Sequence, residues 1–187
     1  DSTVFVLLKM FQLTGNSKFF DGVINNLVWY RDQCTRTPYG LPWLDSWGVL
    51  RYASAEAGVG YLAYKLFVWD GYVETANLTM DYCLGDNPRN GSYVTNYLSN
   101  PPRHPHHRAN EPNRDGVTNG MVGALVGGPN SSDGYTDNVN DYTMNEVAID
   151  YNASYLFGMA GRAWVASGVT PVPTPTPSPT PVPTATP

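Results

Sequence analysis

The sequence has few cysteines, few basic residues and no long apolar run, and each shortage excludes a class of protein. Its 187 residues include two cysteines, Cys34 and Cys83, which are too few for a disulfide framework. They either pair with each other or are two buried thiols, and we favour the buried thiols. Lysine and arginine number 11 against 16 acidic residues, with no basic stripe, so a nucleic-acid partner is not expected. No segment approaches the ~20 apolar residues of a membrane span, so a membrane partner is not expected either.

The residues that are present are typical of a globular protein. Hydrophobic residues make up 42% of the chain and charged residues 14%, which fits a packed core. Aromatic residues make up 13%, with 13 tyrosines and 5 tryptophans. Such side chains either fill a core or form flat platforms for sugar rings, and composition alone leaves both uses open.

The composition changes sharply near residue 169. Eight of the last 17 residues are proline, alternating mainly with threonine, serine and valine. Proline fixes φ and removes backbone donors, so residues 169–187 are predicted to be a disordered, extended linker rather than helix or sheet. Its hydroxyl groups suit O-glycosylation and a stiff spacer, and we expect a carbohydrate-binding or other module beyond Pro187. A tail that carries nothing is the alternative.

Residues 1–168 are predicted to form one helical domain. Apolar residues at helical spacing indicate five helices. The first is stopped by Gly15, the second follows Asp21, the third is capped by Ser46, the fourth is closed at Gly85 and the fifth starts near Asn145. The chain does not open on a signal peptide, and its first residues look like a helix already under way, so we expect a piece of a larger helical protein. Residues 85–141 are long and irregular, which often indicates function.

A histidine-rich loop at residues 101–108 is the first candidate for chemistry. It carries three histidines and two arginines between prolines. The loop is either a solvated basic surface, a metal site, or a set of donors for sugar hydroxyls. The prolines exclude the helical spacing at which histidine pairs commonly bind metals, so we predict no metal and no cofactor.

An acidic stretch at residues 135–146 is the second candidate. Glu146 falls near the predicted start of the last helix, with Asp137 and Asp141 close in sequence. One interpretation is helix capping by Asp141 or Asn145. The other is a carboxylic acid that donates a proton to a glycosidic oxygen.

Two tryptophans lie just before the third predicted helix. Trp43 follows a proline in a loop and is the better candidate for binding substrate in a cleft. Trp47 lies at the helix start, and we predict that it belongs to the core.

Together these stretches resemble glycoside hydrolase family 9, the family of inverting cellulases. One family signature is recognisable over residues 92–108, preceded by 84–90, and it departs from the family at Leu98, where glycine is usual. A second runs over residues 135–153 without departure. Two shorter segments also match the family: 47–53 and 123–129. The resemblance therefore covers nearly all of the helical part.

The resemblance implies an all-α fold, a partial (α/α)6 barrel in which this chain supplies about the last five helices. It implies an endoglucanase, secreted and extracellular, that hydrolyses β-1,4-glucosidic bonds of cellulose or another β-1,4-glucan with inversion. By motif position, Glu146 is the proton donor and Asp137 supports the site. His106 and Arg108 line the cleft near the scissile bond, and Tyr151 stacks beside the leaving sugar.

An inverting mechanism also needs a base, a second carboxylate ~6.5–9.5 Å from the first that takes a proton from the attacking water. In the family this base belongs to an Asp-Ala-Gly-Asp motif, which the sequence does not contain. Three other aspartates, Asp86, Asp133 and Asp141, are not credible substitutes for the base, because each matches a different family motif. We therefore expect the activity to belong to a larger parent protein, with this chain alone inactive and poorly folded.

Two other functions stay open. A non-catalytic carbohydrate-binding or scaffold fragment would use the same loops, aromatic residues and tail, but it would have no need of an acid at Glu146. Another (α/α)6 hydrolase that acts on a different glycan would share both the fold and the acid.

Overall fold

The computed structural model describes residues 2–42, 47–108 and 121–171. Within these ranges the secondary structure is helical and contains no strand. A single 3-10 turn, Asp70–Tyr72, precedes the fourth helix. The α-helices are α1 (Ser2–Thr14), α2 (Ser17–Cys34), α3 (Val49–Phe67), α4 (Val73–Leu84), α5 (Tyr142–Asn145) and α6 (Ile149–Ala166). Five of the six are longer than one turn, so the prediction of an all-α chain with about five helices is confirmed.

Two predicted helix starts are wrong. Helix α2 begins at Ser17, before Asp21, because the Asn16 side chain accepts the Lys18 backbone N–H at 3.0 Å and caps the helix there. The last helix does not begin near Asn145. A single turn, α5, ends at that residue, and Glu146 is extended, with φ −65° and ψ 141°, before α6 starts. The predicted cap of the third helix, Ser46, lies outside the described residues.

Helices α3 and α6 form the tightest helix pair in the described part of the chain. Their side chains meet in register from Gly48 with Tyr151, through Gly58 with Phe157, to Tyr64 with Trp164, so the two helices run in the same direction. A β-carbon at Gly58 would lie 2.1 Å from the Phe157 ring. The absence of a side chain there permits the close approach. As a result, the N-terminal ends of both helices lie side by side.

The core consists of an apolar layer among the helices and a second layer beneath the loops. Leu8, Leu27 and Val59 belong to one buried cluster that joins α1, α2 and α3. The second layer joins helices α3 and α4 to the loops through these buried residues: Leu50, Ala53, Tyr82, Cys83, Tyr93, Val94, Leu125 and Val126. The loops therefore pack against the N-terminal half of α3, the end where α6 also begins.

Within the described ranges, both thiols are free and buried, as predicted. Burial raises the pKa of each, Cys34 and Cys83, to about 12, so neither is a reactive thiolate at neutral pH. No helix in the described part of the chain is long and apolar enough to span a membrane.

Candidate active site

The carboxyl group of Glu146 is held by two hydrogen bonds. Trp47 Nε1 donates to Glu146 Oε2 at 3.2 Å, and the Tyr151 hydroxyl donates to the same oxygen at 3.1 Å. Trp47 precedes α3, and Tyr151 lies in the first turn of α6. The parallel packing of these two helices therefore brings both donors to one carboxylate.

Glu146 lines an open cleft of about 440 Å³ between the starts of α3 and α6. This volume is within the range of small-molecule sites in proteins. The cleft is lined by Trp47, Arg51, Tyr52, Glu146, Ala148, Asp150 and Tyr151. A second cavity, of about 180 Å³, lies further along α3 and α6, and its lining residues include no carboxylate. In the open cleft, by contrast, Glu146 lies among aromatic side chains.

Arg51 forms one wall of the cleft. Its Nη1 pairs with Asp150 Oδ2 at 2.5 Å, and its Nη2 donates to the Tyr52 hydroxyl. Its guanidinium group lies 4.1 Å from the centre of the Tyr52 ring and 5.3 Å from that of Tyr151. Arg51 thus forms an ion pair with Asp150, the other carboxylate of the cleft. It also packs on the ring of Tyr151, whose hydroxyl donates to Glu146.

Burial and the neighbouring charge of Glu146 raise the pKa of Tyr151 far above its usual value. The hydroxyl therefore keeps its proton at neutral pH and donates it to the carboxylate. The ring of Tyr151 is only 4% exposed, so it presents little surface to a sugar. Its stacking beside a leaving sugar stays a prediction, whereas its hydroxyl has a contact that the sequence did not predict.

His106 is joined to the chain on both sides of Glu146. Its backbone N–H donates to the Asn145 carbonyl at 2.8 Å, and its own carbonyl accepts from Val147 N at 3.4 Å. The ring Nδ1 lies 2.6 Å from the Val139 carbonyl. A carbonyl can only accept, so Nδ1 carries the proton and Nε2 is the nitrogen left for other contacts. The structure thus places His106 directly beside the acid through the backbone.

Asp137 binds loop groups rather than the cleft. Its carboxylate accepts from the backbone N–H groups of Arg103 and His104 at 2.8 and 2.9 Å, from His104 Nδ1 at 3.0 Å and from Asn145 Nδ2 at 3.2 Å. It therefore joins the histidine-rich loop to the residue that precedes Glu146. These contacts suit the supporting role that the family resemblance predicts, and the role stays a prediction.

Asn145, which the sequence suggested only as a possible cap, is a fully buried junction. Its side-chain nitrogen donates to the His104 carbonyl and to Asp137, and its oxygen accepts from the Tyr135 hydroxyl. Asp141 is the residue that caps, since its carboxylate accepts the N–H groups of Thr143 and Met144 at the start of α5. The Asn145 side chain therefore joins the backbone of the histidine-rich loop and two side chains of the acidic stretch to the position just before Glu146.

The remaining predicted residues are less informative. Arg108 is exposed at the end of a described segment, and Trp43 lies outside the described residues. The prediction that Trp47 belongs to the core is wrong. The residue precedes α3 rather than lying on its buried face, and its ring is 45% exposed and packs edge-on against Tyr142.

Sequence reasoning did not single out Arg51 or Asp150 as site residues. The available signal was their position, since each lies within the first turn of a helix and close in sequence to a residue that donates to Glu146. Seeing that signal required knowing that the two helices start side by side, and no local pattern carries that information.

Comparison with known proteins assigns the chain to a family. The family described as glycosyl hydrolase family 9 matches residues 3–159. Endoglucanase 4 of Bacillus sp. (strain KSM-522) is 36% identical, with 92% of this chain and 30% of that protein covered. Endoglucanase A of Bacillus pumilus is 38% identical, with 86% of this chain and 28% of that protein covered. The chain thus spans less than a third of the length of these two relatives.

A solved structure agrees in fold. The cellulase Cel9M of C. cellulolyticum in complex with cellobiose is 40% identical and superposes with a TM-score of 0.81. The superposition covers 89% of this chain and 40% of that one. The likeness extends over nearly all of the helical part.

Proposed function

The chain belongs to glycosyl hydrolase family 9 and its helices are part of an (α/α)6 barrel, and from that premise we propose that it is the acid-bearing portion of a cellulose-hydrolysing endoglucanase. The reaction is hydrolysis of β-1,4-glucosidic bonds with inversion, and Glu146 donates the proton to the leaving oxygen. The observation that carries the proposal is the Glu146 carboxyl, fixed by two donors at the edge of an open cleft with aromatic walls.

The base is proposed to come from a part of the polypeptide outside this sequence. Asp150 is the other carboxylate that lines the cleft, and its pairing with Arg51 at 2.5 Å makes it unsuitable for accepting a proton from water. Asp137 is occupied by four loop contacts, and Asp141 caps α5. The absence of an Asp-Ala-Gly-Asp motif from the sequence supports the same conclusion.

The exposed surface of α6 beside Glu146 supports the proposal that another part of the barrel packs there. Ile149, three residues after Glu146, is 92% exposed, and Leu156, two turns further along α6, is 68% exposed. Large apolar side chains exposed in a row along one helix are typical of an interface. We propose that the remainder of the barrel, with the base, covers this side of α6.

The substrate is proposed to be cellulose or a related β-1,4-glucan. Cel9M of C. cellulolyticum is described in complex with cellobiose, a β-1,4-linked glucose disaccharide. An insoluble polymer cannot enter a cell, so we propose that the enzyme is secreted. The Pro/Thr-rich segment 169–187 suits a spacer to a carbohydrate-binding or other module.

The test is Glu146→Gln in the full-length enzyme, meaning the polypeptide that contains both this chain and the base. Reducing-sugar release from carboxymethyl cellulose should fall by about 10³-fold or more, because general acid catalysis contributes about 10²–10⁴-fold. Binding to cellulose should persist. Hydrolysis that survives the substitution would show that another group is the acid, and loss of binding without loss of kcat would favour a carbohydrate-binding role.

Two controls sharpen this test. The 187-residue chain alone should release no reducing sugar, and activity from it would identify one of its own carboxylates as the base. A panel of β-glucans, xylan and mannan should show hydrolysis of the β-1,4-glucans, whereas preference for xylan or mannan would move the enzyme to another substrate class.

A further inference from the structure

Trp47 and Tyr151 donate to the same oxygen of Glu146. We propose that this pair of donors fixes the acid so that Oε1 carries its catalytic proton, and that the donors stabilise the charge left on the carboxyl after that proton is transferred. The inference rests on the proposed function, because it concerns Glu146 as the acid. It makes Trp47 and Tyr151 positioning residues, which act on the acid rather than on the sugar.

The argument begins from the chemistry of a carboxylic acid. The carbonyl oxygen has two lone pairs and accepts hydrogen bonds, whereas the hydroxyl oxygen carries the donor proton. Both bonds to Glu146, at 3.2 and 3.1 Å, end on Oε2. An oxygen that accepts twice is the carbonyl oxygen of the acid, so the proton belongs on Oε1.

Both donors keep their protons throughout the reaction. An indole N–H has no acceptor form, so Trp47 always donates. Burial raises the pKa of Tyr151 far above its usual value, so its hydroxyl keeps its proton and has that proton to donate both before and after Glu146 transfers its own. Two donors that end on Oε2 therefore favour one orientation of the carboxyl, with the proton on Oε1.

The Tyr151 hydroxyl is itself held in place. Gly48 is left-handed, with φ 63°, and a β-carbon there would lie 2.6 Å from the Tyr151 hydroxyl. The Arg51 guanidinium covers the ring at 5.3 Å. The Trp47 ring packs edge-on against Tyr142, with the two ring centres 5.1 Å apart. These donors are preorganised, which is the condition under which a hydrogen bond stabilises developing charge.

The step balances as follows. The Oε1–H bond breaks, and the proton goes to the glycosidic oxygen as the bond between that oxygen and the anomeric carbon breaks with its electron pair on the oxygen. Water attacks the anomeric carbon from the opposite face and gives a proton to the base. Glu146 is left as a carboxylate whose Oε2 already accepts two hydrogen bonds, and solvent returns the proton after the product leaves.

Leaving-group chemistry provides the test. A substrate whose leaving group is a stable anion needs no proton from the acid, whereas a glucan does. Trp47→Phe and Tyr151→Phe in the full-length enzyme remove one donor each and keep a ring. Each should lower kcat on a soluble glucan by about 10- to 100-fold, near the lower end of what one preorganised donor contributes. On 2,4-dinitrophenyl β-cellobioside the loss should be below about threefold, with KM unchanged on both substrates.

Matched controls are Trp164→Phe and Tyr64→Phe, the same chemical changes near the C-terminal ends of α6 and α3. Both should stay within about twofold of wild type on both substrates. An equal loss on the two substrates, or a rise in KM with kcat unchanged, would overturn the inference, because it would mean that the donors serve folding or sugar binding.

Glu146→Gln separates this inference from the proposed function. If that variant loses glucan hydrolysis but keeps activity on the dinitrophenyl substrate while the two donor variants lose both equally, Glu146 is the acid and only the donor role fails. If Glu146→Gln hydrolyses glucan normally, the proposed acid itself is wrong.

Discussion

The helix pair α3–α6 and the loops at 85–108 and 121–147 reach Glu146 from two sides, and different forces hold them. The helices approach closely because Gly58, Gly158 and Gly161 have no side chains where the partner helix or α4 packs. The loops are held by side chains bonded to backbone groups, as where Arg89 donates to the carbonyls of Ser92 and Asn100 at 2.8 and 2.7 Å. Packing thus brings the donors to the acid, whereas polar bonds fix the backbone that carries it.

We therefore expect substitutions in the helix pair and in the loops to have different effects. A side chain added between α3 and α6 should move Trp47 and Tyr151 relative to Glu146, because each lies at the start of one of these helices. Loss of a polar anchor in the loops leaves buried groups without partners, which costs about 1–3 kcal/mol for each group. Matched substitutions in the full-length enzyme test this difference.

Asn145→Ala should have the largest effect on stability. The substitution deprives Asp137, the Tyr135 hydroxyl and the His104 carbonyl of a buried partner. We expect a loss of about 2–4 kcal/mol in the free energy of unfolding, measured with urea, together with a fall in kcat. Asn140→Ala, an exposed change in the same loop, should stay within about 0.5 kcal/mol. A loss at Asn145 no larger than at Asn140 would mean that the loops do not depend on this junction.

Gly58→Ala tests the helix pair. The new β-carbon would lie 2.1 Å from the Phe157 ring, and overpacking of this kind costs about 1–3 kcal/mol. Improved helix propensity returns about 1 kcal/mol, so we expect a net loss of up to about 2 kcal/mol in the free energy of unfolding, measured by thermal unfolding. Gly71→Ala is the control, because nothing lies within 4 Å of its β-carbon. Equal melting temperatures for the two variants would show that α3 and α6 have room to move apart.

Gly48→Ala connects packing to catalysis. Gly48 and Gly123 both have positive φ, at 63° and 85°, so alanine at either should cost about 1 kcal/mol of stability. Only at Gly48 would the β-carbon meet the Tyr151 hydroxyl, at 2.6 Å. We therefore expect Gly48→Ala to lower the melting temperature at least as much as Gly123→Ala does, and to lower kcat by about tenfold where Gly123→Ala leaves it unchanged. A similar kcat for both variants would mean that Tyr151 tolerates displacement.

Sequence reasoning predicted the helical region better than the loops, and the difference between the two forces explains why. Apolar spacing is local, so the extent of α4, from Val73 to Leu84, could be read directly. The extended conformation of Glu146 could not, because it depends on His106 and Asn145, which meet only in the folded chain. Glu146, Asp137 and His106 were identified through motif resemblance, whereas Trp47 was misassigned because its exposure depends on how α3 and α6 meet.

Leu98→Gly should have the smallest effect on stability, and it should stabilise the protein where the other substitutions destabilise it. Leu98 stands where the family usually has glycine, and it has φ 62° with a side chain that is 53% exposed. A left-handed conformation costs an ordinary residue about 1–2 kcal/mol, while glycine gives back about 0.5–1 kcal/mol of that gain through the entropy of the unfolded chain. We expect a net gain of about 0.5 kcal/mol in the free energy of unfolding, measured with urea, with kcat unchanged. Leu98→Ala keeps the strained backbone and should give no gain. If alanine stabilises as much as glycine, the benefit comes from removing an exposed apolar side chain, and the strain in this loop is smaller than its φ suggests.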